Sequence, residues 1–581
     1  MAKGYHKNLQ QINRMSHKII IYQTLPRLFG NKKKKTVFNG TLAENGCGKF
    51  DDYTNLALTK INELGATHIW YTGVIEHGTT TDYSKYGIKK DHLTLIKGRA
   101  GSPYAIKDYY DVDPDLANVP RTRMREFEAL IKRTHEAGLK VSIDFVPNHL
   151  YREYISDAKP KDVEDFGNND NPEKSFDPQN NFYYLPGTSF HLPDGISWLN
   201  SVKTEIPKKP YHEAPAKATG NDRFTPHPDK NDWYETIKLN YGVDVLDGRK
   251  TYFDPMPDTW HKMRDILIFW AAKGVDGFRC DMAEMVPVQF WQWAIAEVKK
   301  EYPEIIFIAE IYNPFAYADY LQRGGFDYLY DKAGVYDTLF NIIRHGASTR
   351  ALTGCWQALE GKEKQMLRFV ENHDEVRIAS EAYAGNPRAG IPAMTVAAAM
   401  NTGPVMIYGG QEIGETAAGA AGYSGDDGRT TIYDYAVMPK HQQWMNNGRF
   451  DGELLDDEQK LLRKFYQQLL TFCRDSEAIA EGKFYDLMWA NEDFPRGIYA
   501  WLRYTENEKL LLVVNFDDTK TETSVKIPEH AFGEMGWSDK EGLRLKDILQ
   551  TDTSELQKQE ISERGIPVTL DGYGARVIAL A

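Results

Sequence analysis

The chain has 581 residues, which gives a prior of about three or four domain-sized units, or fewer if one of them is a large barrel. Its apolar content of 41% is that of an ordinary soluble globular protein, so a disordered, collagenous or membrane-embedded chain is excluded. Seventy Lys and Arg against 83 Asp and Glu leave a formal charge of −13, a poor match for nucleic acid or anionic lipid, so neither partner is expected.

The opening segment MAKGYHKNLQQINRMSHK is basic but has no apolar core, so no secretory signal is read there and a cytoplasmic location is expected. The basic run Lys32 to Lys35 reads as a solvated loop. Cys47, Cys280, Cys355 and Cys473 lie far apart without a CxxC pair, which suggests reduced thiols rather than a zinc site or a disulfide framework.

From residue 17 to about 480, short apolar runs alternate with amphipathic stretches. The strand candidates are KIIIYQ from Lys18, THIWYT from Thr67, LKVSIDFV from Leu139, VDGFRCDMA from Val275, IIFIAE from Ile305, FDYLYD from Phe326, MLRFVENHD from Met366 and PVMIYGG from Pro404. Between them, Arg121 to Ala137 places Met124, Phe127, Leu130 and Ile131 on one helical face, and Gly138 ends it. Met263 to Lys273 repeats the pattern before Gly274. Eight such units point to a (β/α)8 TIM barrel, with a doubly wound open sheet as the alternative. The uncharged stretch Ala389 to Gln411 has the length of a membrane span. Asn401-Thr402-Gly403-Pro404 breaks it, so it reads as buried helix, turn and strand.

One connection breaks the rhythm. Residues 150–241 are rich in Pro, Asn, Asp and aromatics and read as a small domain inserted after strand 3, leaving 1–149 and 242–480 for the barrel. Residues 481–581 are β-rich, with runs such as GIYAWLRYT, KLLLVVNF, TSVKIP, IPVTLDG and GARVIAL, and read as a C-terminal antiparallel β-sandwich.

Barrel chemistry is expected where strands end. The third strand ends Asp144-Phe145-Val146-Pro147-Asn148-His149, the fourth carries Arg279-Cys280-Asp281, the fifth ends in Glu310, and the seventh ends Glu371-Asn372-His373-Asp374. Arg279 and Asp281 are two apart on a strand and so face the same way, and a guanidinium favours an ionised carboxylate. Glu310, one unit further on, falls on the adjacent strand, where exclusion of water and nearby carboxylates favour its protonated form. An ionised nucleophile beside a protonated acid is the machinery of a retaining glycosidase. Asp374 adds a third carboxylate, and His149 and His373 add hydrogen-bonding groups. A catalytic metal is the rival reading, but no His-x-His pair occurs. Phosphate-binding, dinucleotide-binding and GxSxG motifs are absent as well.

These residues resemble the α-amylase superfamily of retaining α-glucan enzymes. DFVPNH (144–149), GFRCDMA (277–283), the Glu310 strand end and FVENHD (369–374) resemble its four motif regions in order. YQTLPRLF (22–29), SPYAIKDYYDVDP (102–114), IKLNY (237–241) and IYGGQEIG (407–414) resemble its flanking features. The resemblance implies Asp281 as nucleophile, Glu310 as acid/base and Asp374 as transition-state stabiliser. It implies Arg279, His149 and His373 as substrate or nucleophile contacts, and Tyr104 as the ring under the sugar, with Asp144 supporting the site from below. No cofactor is required for the chemistry. Asn148 matches a position that often binds structural Ca2+, so calcium is a possible addition, and the metal ligands stay unknown.

There are departures. Ala105 stands where the family often has Asp, and Glu284 and Met285 stand where typical α-amylases have Lys-His. The expected reaction is hydrolysis of α-1,4-glucosidic bonds in maltodextrins or other α-glucan oligosaccharides. A 4-α-glucanotransferase or α-glucosidase with the same machinery is the alternative, and an inactive glucan-binding relative the distant one. Trp291 and Trp293 are two apart in a helix, so at least one is expected in the core.

Overall fold

The computed structural model of the protein describes residues 17–419, 425–537, 541–550 and 552–581. All but the last residues of the opening segment lie outside them. Eight parallel strands form where the apolar runs stand: β1 (Ile20–Thr24), β2 (His68–Tyr71), β3 (Lys140–Phe145), β4 (Gly277–Cys280), β5 (Ile306–Ala309), β6 (Tyr328–Tyr330), β7 (Met366–Leu367) and β8 (Val405–Tyr408). They pair in the order β7-β6-β5-β4-β3-β2-β1-β8, and a parallel bridge from Arg368 to Val405 joins the two ends. The sheet is therefore a closed (β/α)8 barrel and not an open one. Strands covered on both faces need continuous apolar runs, and β1, β2, β4 and β8 are buried throughout.

The helices follow the periodicity with shifted ends. Helix α1 (Arg123–Glu136) buries Phe127, Leu130 and Ile131. It starts after Arg121 because Pro120-Arg121-Thr122 forms a 3-10 turn. Helix α2 (Asp258–Ala272) begins a turn before Met263, directly after Pro257, and buries Trp260, Met263, Ile266, Leu267 and Trp270. In α3 (Val288–Glu301), Trp291 is fully buried, while Trp293 is half-buried beside Trp260 and Arg264. Helix α4 (Gly390–Ala399) is buried on nearly every face and leads through a turn into β8. Among the described residues no helix is long and apolar enough to cross a membrane. Lys32 to Lys35 are exposed, and the four cysteines are free.

After β3 the chain forms two small antiparallel pairs, His149–Tyr151 with Thr236–Lys238 and Tyr184–Leu185 with Ala216–Lys217. Phe190, Trp198 and Val202 of this segment share an apolar cluster with Leu95 and Ile96, which follow β2. The insert thus leans on the β2 loop, a partnership that its own composition does not reveal.

The C-terminal part holds a six-stranded antiparallel sheet. Its strands are β9 (Lys483–Asp486), β10 (Ile498–Tyr504), β11 (Lys509–Asn515), β12 (Gly542–Asp547), β13 (Thr553–Gln557) and β14 (Ala575–Leu580), in the order β9-β10-β11-β14-β12-β13. A ribbon of Thr521–Val525 and Ile566–Leu570 packs on one face through Val525, Ile566 and Val568. The other face joins the barrel core through Trp501, Leu510, Leu512 and Val577. Trp501 Nε1 donates to the Ala399 carbonyl at 3.3 Å, locking the sheet to the end of α4.

Candidate active site

Parallel register brings the site together. Arg279 on β4 lies level with Asp144 on β3 and Ile308 on β5. Just beyond the strands the ladder continues: Asp281 N donates to Phe145 O at 2.8 Å and Glu310 N to Cys280 O at 3.1 Å. Asp281 and Glu310 are therefore neighbours at the C-terminal rim, as their positions on adjacent strands require.

Arg279 is the hub. Nη1 is 2.8 Å from Asp281 Oδ1 and 3.6 Å from Asp144 Oδ1. Nη2 is 2.8 Å from Glu310 Oε2 and 4.0 Å from Asp374 Oδ2, and Nε donates to the Tyr330 hydroxyl at 3.2 Å. Above it opens a cavity of about 280 Å³ whose floor and walls include Tyr104, His149, Asp281, Glu310 and Asp374. Arg279 and His373 back this wall and touch the carboxylates instead of lining the cavity.

Two groups that motif reading does not single out hold Glu310. The Met282 N–H donates to Oε2 at 2.8 Å, and the Tyr312 hydroxyl donates to Oε1. Met282 reaches this position with φ at +43°, a left-handed backbone that is unusual for a side chain of its size. Tyr312 has a readable signal, since it is two residues beyond Glu310 and so on the same side of an extended chain. Nothing in the sequence marks Met282.

Asp374 is set by its own turn, in which Asn372 Oδ1 accepts from the backbone N–H groups of Asp374 and Glu375 at 2.8 and 3.0 Å. Behind it runs a relay. Gln23 Nε2 donates to His373 Nδ1 at 2.8 Å, which leaves the proton on Nε2, facing the Tyr104 hydroxyl and Asp374 Oδ2. Tyr104 in turn donates to Asp144 Oδ1 at 3.2 Å. Asp144 Oδ2 accepts from Trp70 Nε1 at 3.1 Å and Gly73 N at 3.0 Å. Gly73 has φ at +73°, and a Cβ there would fall 2.7 Å from Pro103 Cβ, so only glycine brings this amide to Asp144. Glu371, by contrast, is bound to Arg377 at 2.8 Å and to the Ile378 amide, a buried ion pair outside the cavity.

The electrostatics differ from the simple expectation. Arg279 favours an ionised Asp281, but burial and the adjacent Glu310 carboxylate outweigh it and push the Asp281 carboxyl up. Asp374 is raised to about 7 by burial and the same Glu310 charge. One guanidinium serves Asp144, Asp281, Glu310 and Asp374 together, so a proton is retained within the set near neutral pH. Glu310 accepts two hydrogen bonds, from the Met282 amide and the Tyr312 hydroxyl, and its Oε2 is ion-paired with Arg279 Nη2. Burial pushes His149 down to about 3 and His373 well below the usual range, so both rings are neutral.

A model of the alpha-amylase catalytic domain matches residues 23–482. The chain belongs to the alpha-amylase family. Among curated relatives, it is 23% identical to the alpha-1,4-glucan:maltose-1-phosphate maltosyltransferase of Cereibacter sphaeroides, over 86% of this chain and 60% of that protein. It is 24% identical to alpha-amylase 3 of Dictyoglomus thermophilum, over 71% of this chain and 74% of that one. The chain thus spans less than two thirds of the maltosyltransferase's length. The fold is shared with an alpha-amylase from Geobacillus thermoleovorans complexed with acarbose (TM-score 0.58, 19% identity, 97% of this chain and 98% of that one). It is also shared with an Anoxybacillus alpha-amylase (TM-score 0.61, 20% identity, 97% and 98%).

Within this alpha-amylase family chain, the departures from the usual pattern have definite surroundings. Glu284 accepts from the Asn313 amide at 3.2 Å. The Met285 carbonyl faces Lys238 Nζ at 3.5 Å. The same ammonium donates to Asn148 Oδ1 and lies 2.8 Å from Asp222 Oδ1. An ammonium thus stands among the oxygen donors that a calcium ion at Asn148 would use. The residues there do not fit calcium while Lys238 holds that place. Among the described residues, the one other set spaced to hold an ion is Glu76, Asp111 and Asp157. None of these lines the cavity, and Arg123 already binds Asp111 at 2.5 Å.

Proposed function

We propose that the chain cleaves α-1,4-glucosidic bonds in maltooligosaccharides with retention of configuration. The observation that carries this reading is the placement of Asp281 and Glu310 on the two terminal nitrogens of Arg279, both facing one cavity. When a sugar enters, Asp281 attacks the anomeric carbon as the bond to the leaving oxygen breaks, and Glu310 gives that oxygen its proton. Asp281 is then esterified to the glucosyl unit. Glu310 next takes a proton from water, the water oxygen attacks the anomeric carbon, and Asp281 is released. This cycle needs Asp281 ionised and a proton on Glu310 when substrate is bound. Asp374 is placed to bind sugar hydroxyls near the developing positive charge, and the Tyr104 ring to support the sugar's apolar face.

A second reading, transfer of the glucosyl unit to an acceptor sugar, is favoured by Trp233, Tyr312 and Tyr433 on the cavity wall, aromatic faces on which an acceptor ring can stack. Digestion of maltoheptaose followed by chromatography and early-time NMR of the product anomer tests both readings. Hydrolysis with retention gives shorter products with the α-anomer first. Products longer than the substrate establish transfer. β-Anomer first, or no turnover of any α-glucan, overturns the assignment of Asp281.

A further inference from the structure

At the opposite end of the barrel from the catalytic cavity, a second cavity of about 280 Å³ opens between barrel and C-terminal sheet. Glu363 and Lys364 of the segment leading into β7, Asn401 and Thr402 of that leading into β8, and Arg503 of β10 line it, with Arg368 at its wall.

Two buried polar groups there lack partners. Arg368 is fully buried; its Nε donates to Asp331 Oδ2 at 2.8 Å, but Nη1 and Nη2 have no acceptor. Asn401 is 3% exposed; its Nδ2 donates to the Glu363 carbonyl at 2.6 Å, and Oδ1 has no donor. A buried group left in this state costs free energy, most of all a charged one.

The charges around them are one-sided. Arg503 is buried against four main-chain carbonyls, those of Met400, Ala478, Ile479 and Gly482, at 2.8–3.2 Å. Lys18, also buried, donates to the Asn401 carbonyl at 2.7 Å. The two buried guanidinium groups, Arg368 and Arg503, thus have one ion-paired carboxylate between them, Asp331 on Arg368, while burial holds the Lys18 amine well below its usual value. Burial, with Arg368 close by, pushes Arg503 down to about 9. Glu363 is the one carboxylate among the lining residues, and Lys364 stands exposed at the mouth.

We infer that this cavity binds an oxyanion of the phosphate class, as free phosphate or as the phosphate monoester of a sugar. The free pair of Arg368 nitrogens is a fork suited to two phosphate oxygens. Asn401 Oδ1 accepts from a protonated phosphate oxygen or a sugar hydroxyl. The half-buried Trp356 ring in the wall offers a sugar its flat face.

Calorimetric titration and thermal melts of the full chain with inorganic phosphate, glucose 1-phosphate and uncharged glucose, at matched ionic strength, test this. Both phosphates are expected to bind saturably and raise Tm, while glucose does neither. Tighter binding of glucose 1-phosphate assigns the site to a monoester, and equal binding assigns it to free phosphate. Lys364→Glu, a surface change, is expected to weaken binding about tenfold, the worth of one charge-assisted contact, and Arg368→Gln to abolish it. Absence of saturable phosphate binding by the unaltered chain overturns the inference. So does unchanged affinity in Lys364→Glu, which keeps the test valid should Arg368→Gln fail to fold.

Discussion

Asp281 and Glu310 are held by opposite ends of a single guanidinium, each 2.8 Å from one terminal nitrogen of Arg279. Equal tethers on unequal partners predict a division of labour. Glu310→Gln should lower kcat on maltooligosaccharides by about 10² to 10⁴-fold, the usual worth of a general acid. It should lower it far less on an aryl glucoside whose leaving group needs no proton. Asp281→Asn should abolish turnover of both substrates. Steady-state kinetics on the two substrates decide, and equal losses for Glu310→Gln on both would remove it from the acid role.

The Tyr312 hydroxyl donates to Glu310 Oε1 and so fixes the direction in which this carboxyl points. Tyr312→Phe takes that donor away. With Glu310 less firmly placed, kcat on maltooligosaccharides should fall about tenfold while KM changes little. An unchanged kcat would make Tyr312 a packing residue.

How far the chain could be read in advance depended on range. β1 to β8 and their order follow from local apolar runs, and Asp281 beside Glu310 follows from parallel pairing of adjacent strands. The short β7 is a case where the ladder continues through Arg368, a residue that an apolar pattern does not admit. The β2 loop's share in the insert's core was not legible, because the cluster that holds both Leu95 and Trp198 joins segments about a hundred positions apart with no periodicity in either. Strands β9, β12 and β13 were missed because charges interrupt them; β12 buries only every second residue. The ionisation of Asp281 was misjudged for another reason. A single strand displays its arginine, but not the carboxylates that other strands bring to the same nitrogens.

Lys238 occupies the middle of the donors around Asn148. Treatment with a chelator should therefore leave Tm and activity unchanged, and added calcium should not raise Tm. Lys238→Met should lower stability by about 1–3 kcal/mol, because Asn148 Oδ1 and Asp222 lose their shared donor. Thermal melts with and without chelator measure both. A chelator-sensitive Tm in the unaltered chain would mean that an ion displaces this ammonium.

Asp374 offers a test of the crowded charge itself. Its carboxyl rises from 3.8 to about 7 in the fold, through burial and the Glu310 charge. Between these two values the folded chain holds a proton that the unfolded chain has released. The stability contribution of this group is thus fully present below the lower value and falls as pH climbs towards 7. Above that, the ionised group is a net cost, reduced by water because part of the side chain faces the open cavity. Asp374→Asn removes the charge while keeping the shape. It should therefore raise Tm at pH 8, have little effect near pH 4, and abolish most activity throughout. Melting curves across this range would show a gap between variant and parent that widens with pH. A gap that stays constant, or closes as pH rises, would mean that the carboxylates around Arg279 do not share a proton as described.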